Sequence, residues 1–367
     1  MSFILQNISK VVDGETHLEE INLEIEKGSF NVLLGPTLSG KTTLLRLMAG
    51  LDRPSGGQLL MNGKDLSSVP VWKRNVAMVY QQFINYPNLN VYENIAFPLR
   101  RSRMNSAEID RKVRSTAELL QISQFLDRKP RELSGGQQQR TALARSLVKG
   151  TDLLLMDEPL INLDYKLREQ IRDEFKNIFV ENDDTIIIYS TTDPMEVLQL
   201  GGQILVLNEG RQLQSGPTHH CYRNPATQEV ARVFNDPPMN MIDGIITGGN
   251  VVLGKELSIP IADHLRILKD GEYRFGLRAS DLFLKQQEKE DIELSVTIEL
   301  GEINGSETFI YVNHHEISWV IHELGIHDHA LGEQIITYFN SRDLFVFDIK
   351  GELIAVPEQS AVLPPPI

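Results

Sequence analysis

An octapeptide near the amino terminus has the residue types and spacing of a phosphate-binding loop. Gly35-Pro36-Thr37-Leu38-Ser39-Gly40-Lys41-Thr42 fits the pattern G-x-x-x-x-G-K-[ST]. Glycines let such a loop wrap a phosphate with its backbone N–H groups turned inward, and a following helix adds positive potential. We expect Lys41 at the β- and γ-phosphates, the Thr42 hydroxyl on Mg²⁺ and Thr43 among the ATP-binding residues. A chance match is the alternative, and a predicted strand before the loop and helix after it argue against that.

Two adjacent carboxylates follow an apolar run further along the chain. The run 152–156 ends at Asp157-Glu158-Pro159. Beside a phosphate loop, Asp157 is expected to hold Mg²⁺ directly or through water. Glu158 is then placed to orient or deprotonate an attacking water. The alternative is a plain strand-to-turn boundary, because Asp and Glu-Pro both end strands. With the phosphate loop present, we interpret the pair as a Mg²⁺ ligand and a general base.

A third motif, LSGGQQQR at 133–140, precedes a helical stretch. Ser134 and Gln137 have the spacing of a capping box, which is sufficient to explain a helix start. The adjacent glycines Gly135 and Gly136 weaken a first turn, however, unless another group must approach the backbone closely. A phosphate presented by another subunit is such a group.

The elements that must position these motifs alternate between strands and helices. A strand, a turn and an apolar strand are predicted over 21–35, followed by a helix from Lys41 to Gly50. A mostly helical stretch is predicted over 106–149. Three short apolar runs have the form of buried parallel strands, at 152–156, 185–189 and 203–207. This alternation predicts an α/β domain with a mostly parallel sheet.

The pattern changes after Asn235-Asp236-Pro237-Pro238. From there the chain has short predicted strands at close spacing, which indicate an all-β module. These strands are predicted at 241–253, 273–278, 292–300, 307–313, 317–322, 334–339, 344–348 and 352–356. We therefore expect two domains, residues 1–236 and residues 237–367.

Composition narrows the function classes. The chain has 367 residues, a net charge of −14 and a pI near 5.2. This balance disfavours tight binding to nucleic acid or to an anionic membrane surface, since both attract Lys and Arg. No run approaches the ~20 apolar residues that span a bilayer, and the start lacks the features of a secretory signal. The single cysteine, Cys221, suits a reducing cytoplasm. His219, His220 and Cys221 are adjacent, and we interpret them as surface or packing residues rather than metal ligands.

Together these motifs resemble those of ABC transporter ATPases. LSGGQQQR resembles the family's signature motif, Val79-Tyr80-Gln81-Gln82 its Q-loop and Leu160-Ile161-Asn162-Leu163-Asp164 its D-loop. The carboxyl-terminal part is also similar. Three segments there resemble landmarks of the OB-like (TOBE) regulatory domain in maltose-importer-type ATPases, at 234–240, 276–281 and 305–308.

The resemblance implies a fold, an activity and partners. The fold is an α/β P-loop NTPase, a RecA-like core with ABC β- and helical subdomains, followed by an all-β OB-like domain. The activity is transport-coupled hydrolysis of ATP with Mg²⁺. The implied partners are two transmembrane permease subunits, which would dock at residues 83–98, a second ATPase subunit and a substrate-binding protein, with no nucleic acid. The chain would lie on the cytoplasmic face of a bacterial inner membrane and energise import of a sugar or polyol.

The resemblance also assigns roles to residues. Each ATP would lie between one subunit's phosphate loop and the signature of the other subunit, so that Ser134–Gln137 would contact the partner's ATP. Gln81 would bind ATP and join Thr42 and Asp157 around Mg²⁺. Asp164 would communicate across the dimer.

Three positions depart from the family pattern. Thr192 stands where the switch histidine is expected after the strand 185–189, and a hydroxyl does not act as an imidazole does near neutral pH. Val12 stands where an aromatic ring would stack on adenine, and His17 is a possible substitute. Ile161 stands where the D-loop usually has a small polar residue.

These departures leave two interpretations open. One is drift without consequence in a homodimer. The other is an asymmetric pair, in which this chain has a weak hydrolysis site of its own and lends an undamaged signature to a different ATPase. A heterodimer is the arrangement that the second interpretation favours. The combination of GPTLSGKTT, the Thr192 switch and RNVAMVYQQFINYP also resembles the divergent ATPase of bacterial glycerol importers.

Other function classes fit less well. ABC proteins that act on nucleic acid or ribosomes usually have paired cassettes and basic surfaces, whereas this chain has one cassette and a net charge of −14. Exporter cassettes are commonly fused to membrane spans. A regulatory protein that binds nucleotide with little turnover remains an alternative, supported by Val12 and Thr192 and opposed by Lys41, Asp157 and Glu158.

Overall fold

The computed structural model describes residues 2–101, 104–161, 168–173, 175, 184–315 and 317–357. The chain divides into two compact units, Met1–Thr218 and His219–Ile367. The first unit is an α/β structure and the second is built mainly from strands, as the sequence predicts.

One ten-stranded sheet organises the first unit. Its strands are β1 Ser2–Val12, β2 Glu15–Glu26, β3 Phe30–Leu34, β4 Gly56–Met61, β5 Lys64–Asp65, β6 Val76–Val79, β7 Leu153–Asp157, β8 Ile186–Thr191, β9 Gln203–Asn208 and β10 Arg211–Pro217. They lie in the order β5-β4-β1-β2-β10-β9-β3-β8-β7-β6. β3, β8, β7 and β6 are parallel neighbours, whereas β1 pairs antiparallel with β2 and β4. Because parallel strands end at one edge of a sheet, the loops after β3, β6, β7 and β8 meet there.

Five helices of the described part of this unit have defined bounds. They are α1 Lys41–Ala49, α2 Val91–Ala96, α3 Ser106–Leu119, α4 Gly135–Leu147 and α5 Pro194–Leu200. The helix predicted from Lys41 to Gly50 is confirmed, and Gly50 has the positive φ of 79° typical of a helix end. The buried guanidinium of Arg74 donates to the last carbonyls of α1, at Leu47 (3.1 Å) and Met48 (2.7 Å). These bonds hold the far end of the helix that follows the phosphate loop.

The described residues of the second unit form two antiparallel sheets. Its strands are β11 Asn240–Thr247, β12 Asn250–Leu253, β13 Leu257–Pro260, β14 Gly271–Leu277, β15 Ile292–Asn304, β16 Glu307–His314, β17 Ile317–Leu324, β18 Gln334–Phe339, β19 Phe345–Phe347 and β20 Leu353–Ala355, and its helices are α6 Thr218–Arg223 and α7 Gln228–Val233. The sheet orders are β13-β12-β11-β14-β19-β20 and β17-β16-β15-β18. One apolar core that includes Phe275 and Trp319 joins strands of both sheets, as expected of an OB-like domain.

The structure differs from the sequence prediction at one place in this unit. The single strand predicted over 241–253 is a hairpin of β11 and β12, because Gly248 (φ 56°) and Gly249 (φ 82°) reverse the chain. The compact units meet at Thr218/His219, earlier than the predicted domain boundary after Asp236. The segment between these points bonds to the β unit, since Gln228 N–H donates to Gly351 O (2.8 Å). The 236/237 boundary between functional domains remains a prediction.

Candidate functional site

The phosphate-loop motif connects β3 to α1 at the edge where parallel strands end. Gly35 and Gly40 are required by the loop's geometry. A Cβ at Gly35 would collide with the carbonyl oxygen of Leu207, and Gly40 has a φ of 100°. Leu38, at the apex of the loop, has a φ of 68° and a side chain that is 94% exposed.

Lys41 is buried at the start of α1. Its ammonium donates to the carbonyl oxygens of Gly35 (2.8 Å) and Pro36 (3.0 Å), within its own loop. It also lies 3.4 Å from an Oε1 carboxylate oxygen of Glu158. Burial lowers the pKa of Lys41, and the negative charges of Glu158 and Asp157 oppose that effect. The predicted phosphate ligand and the predicted base therefore lie side by side.

Asp157 ends β7 and is 3% exposed. Its Oδ1 atom accepts hydrogen bonds from the hydroxyls of Thr42 (3.1 Å) and Ser190 (2.9 Å). Thr42 and Asp157, predicted as Mg²⁺ ligands from distant parts of the sequence, are thus in contact. Their hydroxyl and carboxylate oxygens are the hard donors that Mg²⁺ prefers, and Gln81, the third predicted ligand, lines the same cavity as Thr42.

Glu158 faces the cavity between the phosphate loop and the Q-loop. Its Oε2 atom accepts a hydrogen bond from the Gln81 side-chain amide at 3.1 Å. Its backbone has a φ of 45°, a conformation that L-residues rarely adopt and that recurs at active sites. The Glu158 N–H donates to both the backbone oxygen (3.2 Å) and the hydroxyl (3.1 Å) of Ser190. The surrounding structure therefore fixes the carboxylate at this unusual turn.

A cavity of about 650 Å³ unites these side chains. Its lining includes loop residues 37–43, Gln81, Glu158 and Thr192, with Glu15-Thr16-His17 on a further part of the wall. This volume is in the range of sites that enclose a small molecule. The residues predicted for phosphate, Mg²⁺, base and switch roles therefore converge on one cavity or bond to its lining.

The two residues considered for adenine contact, Val12 and His17, differ in whether they line the cavity. Val12 is not among the residues that line the cavity; it lies opposite Glu15 in the β1–β2 hairpin and is 38% exposed. His17 is exposed and does line the cavity. His17 is thus the candidate at this wall, and adenine contact by either residue remains a prediction.

The switch position lies between β8 and α5. Thr192 is half-buried and contributes to the cavity wall. The next residue, Asp193, is the N-cap of α5 and accepts hydrogen bonds from the N–H groups of Met195 (2.8 Å) and Glu196 (3.4 Å). Ile161 is 45% exposed and also lines the cavity. Asp164, with Asn162 and Leu163, lies outside the described residues.

The signature motif begins α4. The predicted capping box is present: Gln137 N–H donates to the Ser134 hydroxyl (3.4 Å), and Ser134 N–H donates to the Gln137 side chain (3.0 Å). A Cβ at Gly135 would meet open space, so the chain's own packing does not explain that glycine. Among the described residues that line the cavity beside the phosphate loop, none belongs to Ser134–Gln137.

The segment 83–98 is held by a buried amide. Asn94, fully buried in α2, accepts from Tyr86 N–H (2.8 Å) and donates to Leu89 O (3.0 Å). The guanidinium of Arg145 lies 4.9 Å from the centre of the Tyr86 ring. Ile84 remains 58% exposed, which leaves an apolar side chain on this rigid surface.

Ser190 is a site residue that sequence reasoning missed. It is fully buried at the end of β8 and joins Asp157 to the Glu158 backbone. The sequence does place a hydroxyl residue directly after the apolar run 185–189. In the sequence, that run serves only to locate the switch position at Thr192. Strand order, which places β8 between β3 and β7, gives this serine its role.

Two further observations concern the cysteine and the helices. Cys221 is fully buried, and burial raises the pKa of its thiol to about 11. Within the part of the chain that the structure describes, no helix has both the length and the apolar character to cross a membrane.

Comparisons with known proteins identify the family. The ABC transporter family model matches residues 18–161. The chain is 37% identical to the uncharacterized ABC transporter ATP-binding protein YcjV of Escherichia coli, over 95% of this chain and 98% of that protein. It is also 37% identical to the trehalose/maltose import ATP-binding protein MalK of Thermococcus litoralis, over 94% and 96%. A dimeric post-hydrolysis structure of the ATP-binding cassette MJ0796, bound to ADP and Pi, superimposes with a TM-score of 0.53 and 28% identity, covering 59% of this chain and 98% of that chain.

Proposed function

Because the chain belongs to the ABC transporter ATP-binding proteins, we propose that it is the ATP-hydrolysing subunit of a bacterial importer of a sugar or polyol. The observation that carries the hydrolytic part is the convergence of Lys41, Thr42 and Glu158 on one cavity, with Asp157 bonded to the Thr42 hydroxyl. The similarity to a trehalose/maltose import protein over nearly the whole chain supports the substrate class.

In this proposal each residue of the site has a separate role in ATP hydrolysis. Lys41 and the N–H groups of the phosphate loop bind and orient the terminal phosphates. Thr42, Asp157 and Gln81 would hold Mg²⁺, which when bound would neutralise charge on those phosphates. Glu158 orients the attacking water and takes its proton.

We further propose that the chain works as one half of an asymmetric ATPase pair. Thr192 supplies a hydroxyl, rather than an imidazole, at the cavity wall. The Ser134 capping box is intact, and Gly135 faces open space, which suits service to a partner's ATP. A homodimer would carry the threonine at both sites, so a heterodimer with a second ATPase is the arrangement we favour. Asp164 is assigned to communication across that dimer on motif grounds alone.

The remaining partners follow from this role. Two transmembrane permease subunits would dock at residues 83–98, a substrate-binding protein would deliver the substrate, and no nucleic acid is involved. The chain would be a peripheral protein on the cytoplasmic face of the inner membrane.

Residues 237–367 would form the TOBE-like regulatory domain. Glycerol is the specific substrate that the combination of the phosphate loop and Thr192 favours.

A nucleotide-binding regulatory subunit with little turnover is the second candidate. The observation that favours it is again Thr192, since loss of a positioned acid–base group typically lowers a rate by about 10²–10⁴-fold. Its assembly and membrane location would be the same. The two candidates differ only in whether this chain's own cavity turns over.

ATPase assays on the purified chain, and on the chain with a co-encoded second ATPase and permeases, test the proposal. We expect weak activity alone and strong activity in the assembly, abolished by Ser134→Arg in this chain. Ser146→Arg, on the same helix, is the matched control. Strong activity of the chain alone, eliminated by Glu158→Gln, would overturn the asymmetric pair and favour a homodimer.

A further inference from the structure

A buried carboxylate lies directly behind the loop that carries Thr192. Glu196, in the first turn of α5, is 4% exposed. Its Oε2 atom accepts a hydrogen bond from the Tyr189 hydroxyl at 2.9 Å and another from the Thr191 hydroxyl at 2.7 Å. Two donors from the end of β8 therefore converge on one oxygen of a side chain from the following helix.

The Thr191 hydroxyl also fixes the residue on the other side of Thr192. It accepts a hydrogen bond from Asp193 N–H at 3.0 Å. The Asp193 carboxylate in turn accepts from Glu196 N–H at 3.4 Å. Thr192 is thus flanked by two residues that are both bonded, directly or through one hydroxyl, to Glu196.

The other end of this network is packed between aromatic rings. Tyr189 is fully buried, with its ring centre 6.2 Å from that of Phe30 and 6.3 Å from that of Phe175. The pKa of Glu196 is raised, mainly because the carboxyl is buried. The hydroxyl donors and Arg168 oppose this rise, whereas the negative charge of Asp193 adds to it. Glu158, Thr192 and Glu196 line one small cavity of about 50 Å³, so the buried carboxylate adjoins the catalytic wall.

From this geometry we propose that Glu196 is a positioning residue: it holds the Thr191–Asp193 turn so that the Thr192 hydroxyl stays on the cavity wall beside Glu158, where it contacts the terminal phosphate of a nucleoside triphosphate. The inference rests on the proposed function, because it takes the cavity to be the ATP site. It adds a residue that acts on the ligand only through Thr192.

Equilibrium binding separates this role from general stability. The probe is the ratio of affinities of the purified chain for Mg²⁺–adenylyl imidodiphosphate and for ADP, measured by titration calorimetry. Loss of the Thr192 contact in Thr192→Val should reduce that ratio by about two- to tenfold, the weight of one net hydrogen bond. Glu196→Ala should reduce the ratio equally with ADP affinity unchanged, and the double variant should show no further loss.

Conservative variants sharpen the test. Glu196→Gln keeps an oxygen that accepts from both hydroxyls and should retain the wild-type ratio. Thr191→Val removes the shared hydroxyl at nearly constant volume and should behave as Glu196→Ala does, which gives a second test where the alanine variant folds poorly. Glu118→Ala, exposed on α3, is the control for removal of a carboxylate.

The outcomes are distinguishable from those of the proposed function. A wild-type ratio in Thr191→Val, or additive losses in the Glu196/Thr192 double variant, would overturn the positioning role even where the assembly hydrolyses ATP. Absence of ATPase activity in the wild-type assembly would overturn the proposed function. The binding affinities of the Glu196 and Thr192 variants could still be measured and compared. Non-additive loss with rescue by Glu196→Gln establishes the role.

Discussion

The Lys41 ammonium lies 3.4 Å from a carboxylate oxygen of Glu158, while it donates to two carbonyls of its own loop. If the cavity is the ATP site, as proposed, phosphate binding would exchange these partners for phosphate oxygens, and the Glu158 charge would repel the incoming nucleotide. On that proposal, the same residue would oppose binding and promote turnover.

Glu158→Gln is expected to separate these two effects. The amide keeps the shape and the contact with Gln81 but cannot take a proton, so turnover of this site should fall by about 10²–10⁴-fold. Loss of the negative charge should tighten Mg²⁺–ATP binding. Single-turnover hydrolysis and equilibrium binding, with Glu118→Gln as the control, measure both. Weaker ATP binding in Glu158→Gln would contradict the charge argument.

Ser190→Ala is expected to weaken the Mg²⁺ site. The variant removes the hydroxyl bonded to Asp157 (2.9 Å) and to Glu158 N–H (3.1 Å), although that N–H keeps the Ser190 backbone oxygen. Loss of such an outer partner typically costs about 10–100-fold in metal affinity. The Mg²⁺ dependence of ATP binding should shift by that amount. Ser146→Ala on α4 should leave it unchanged, and an equal shift there would argue for a nonspecific effect.

The sequence predicted the phosphate loop and the carboxylate pair because the residues of each motif are contiguous in the chain. It also predicted the core strands, since buried parallel strands leave apolar runs. The contribution of Ser190 and Glu196 could not be predicted, because it depends on β8 lying between β3 and β7 and on Glu196 of α5 accepting hydrogen bonds from the end of β8. The hairpin of β11 and β12 was missed because an apolar run on both sides of Gly248-Gly249 resembles one strand.

Thr192→His is expected to raise hydrolysis at this chain's own site. The residue already lines the cavity with Glu158, so an imidazole there would face the same ligand. The gain should be at least about tenfold, within the range that positioned acid–base groups provide. Steady-state ATPase of the assembly, with the partner ATPase inactivated, isolates this site. Thr192→Ala should give no gain; a histidine variant no faster than wild type would mean that the threonine site is not deficient.

Cys221 is expected to be unreactive in the folded chain. The thiol is fully buried, and its pKa of about 11 leaves only about 10⁻³ of it as thiolate at pH 8. Modification by N-ethylmaleimide should be at least about 100-fold slower in the native protein than in denaturant. Mass spectrometry of the intact chain measures both rates, and rapid native modification would contradict this burial.

Asp343→Asn is expected to stabilise the second unit at neutral and higher pH. Burial, followed by the negative charges of Asp281, Asp291 and Glu288, raises the pKa of Asp343 to about 6, while Arg342 opposes the shift. A carboxyl that binds its proton more tightly when folded favours the folded state below the unfolded pKa of about 4. That advantage is lost as pH rises through 6.

The asparagine removes the charge that is costly above pH 6. We expect its unfolding free energy to exceed that of the wild type by about 1 kcal/mol at pH 7.5, less than the full shift would give, because Asp343 is partly exposed and solvent screens its neighbours. The difference should vanish near pH 4. Urea unfolding across this pH range, with the exposed Asp328→Asn as control, is the measurement. A variant that is less stable at pH 7.5 would show that the ionised carboxylate makes a favourable contact.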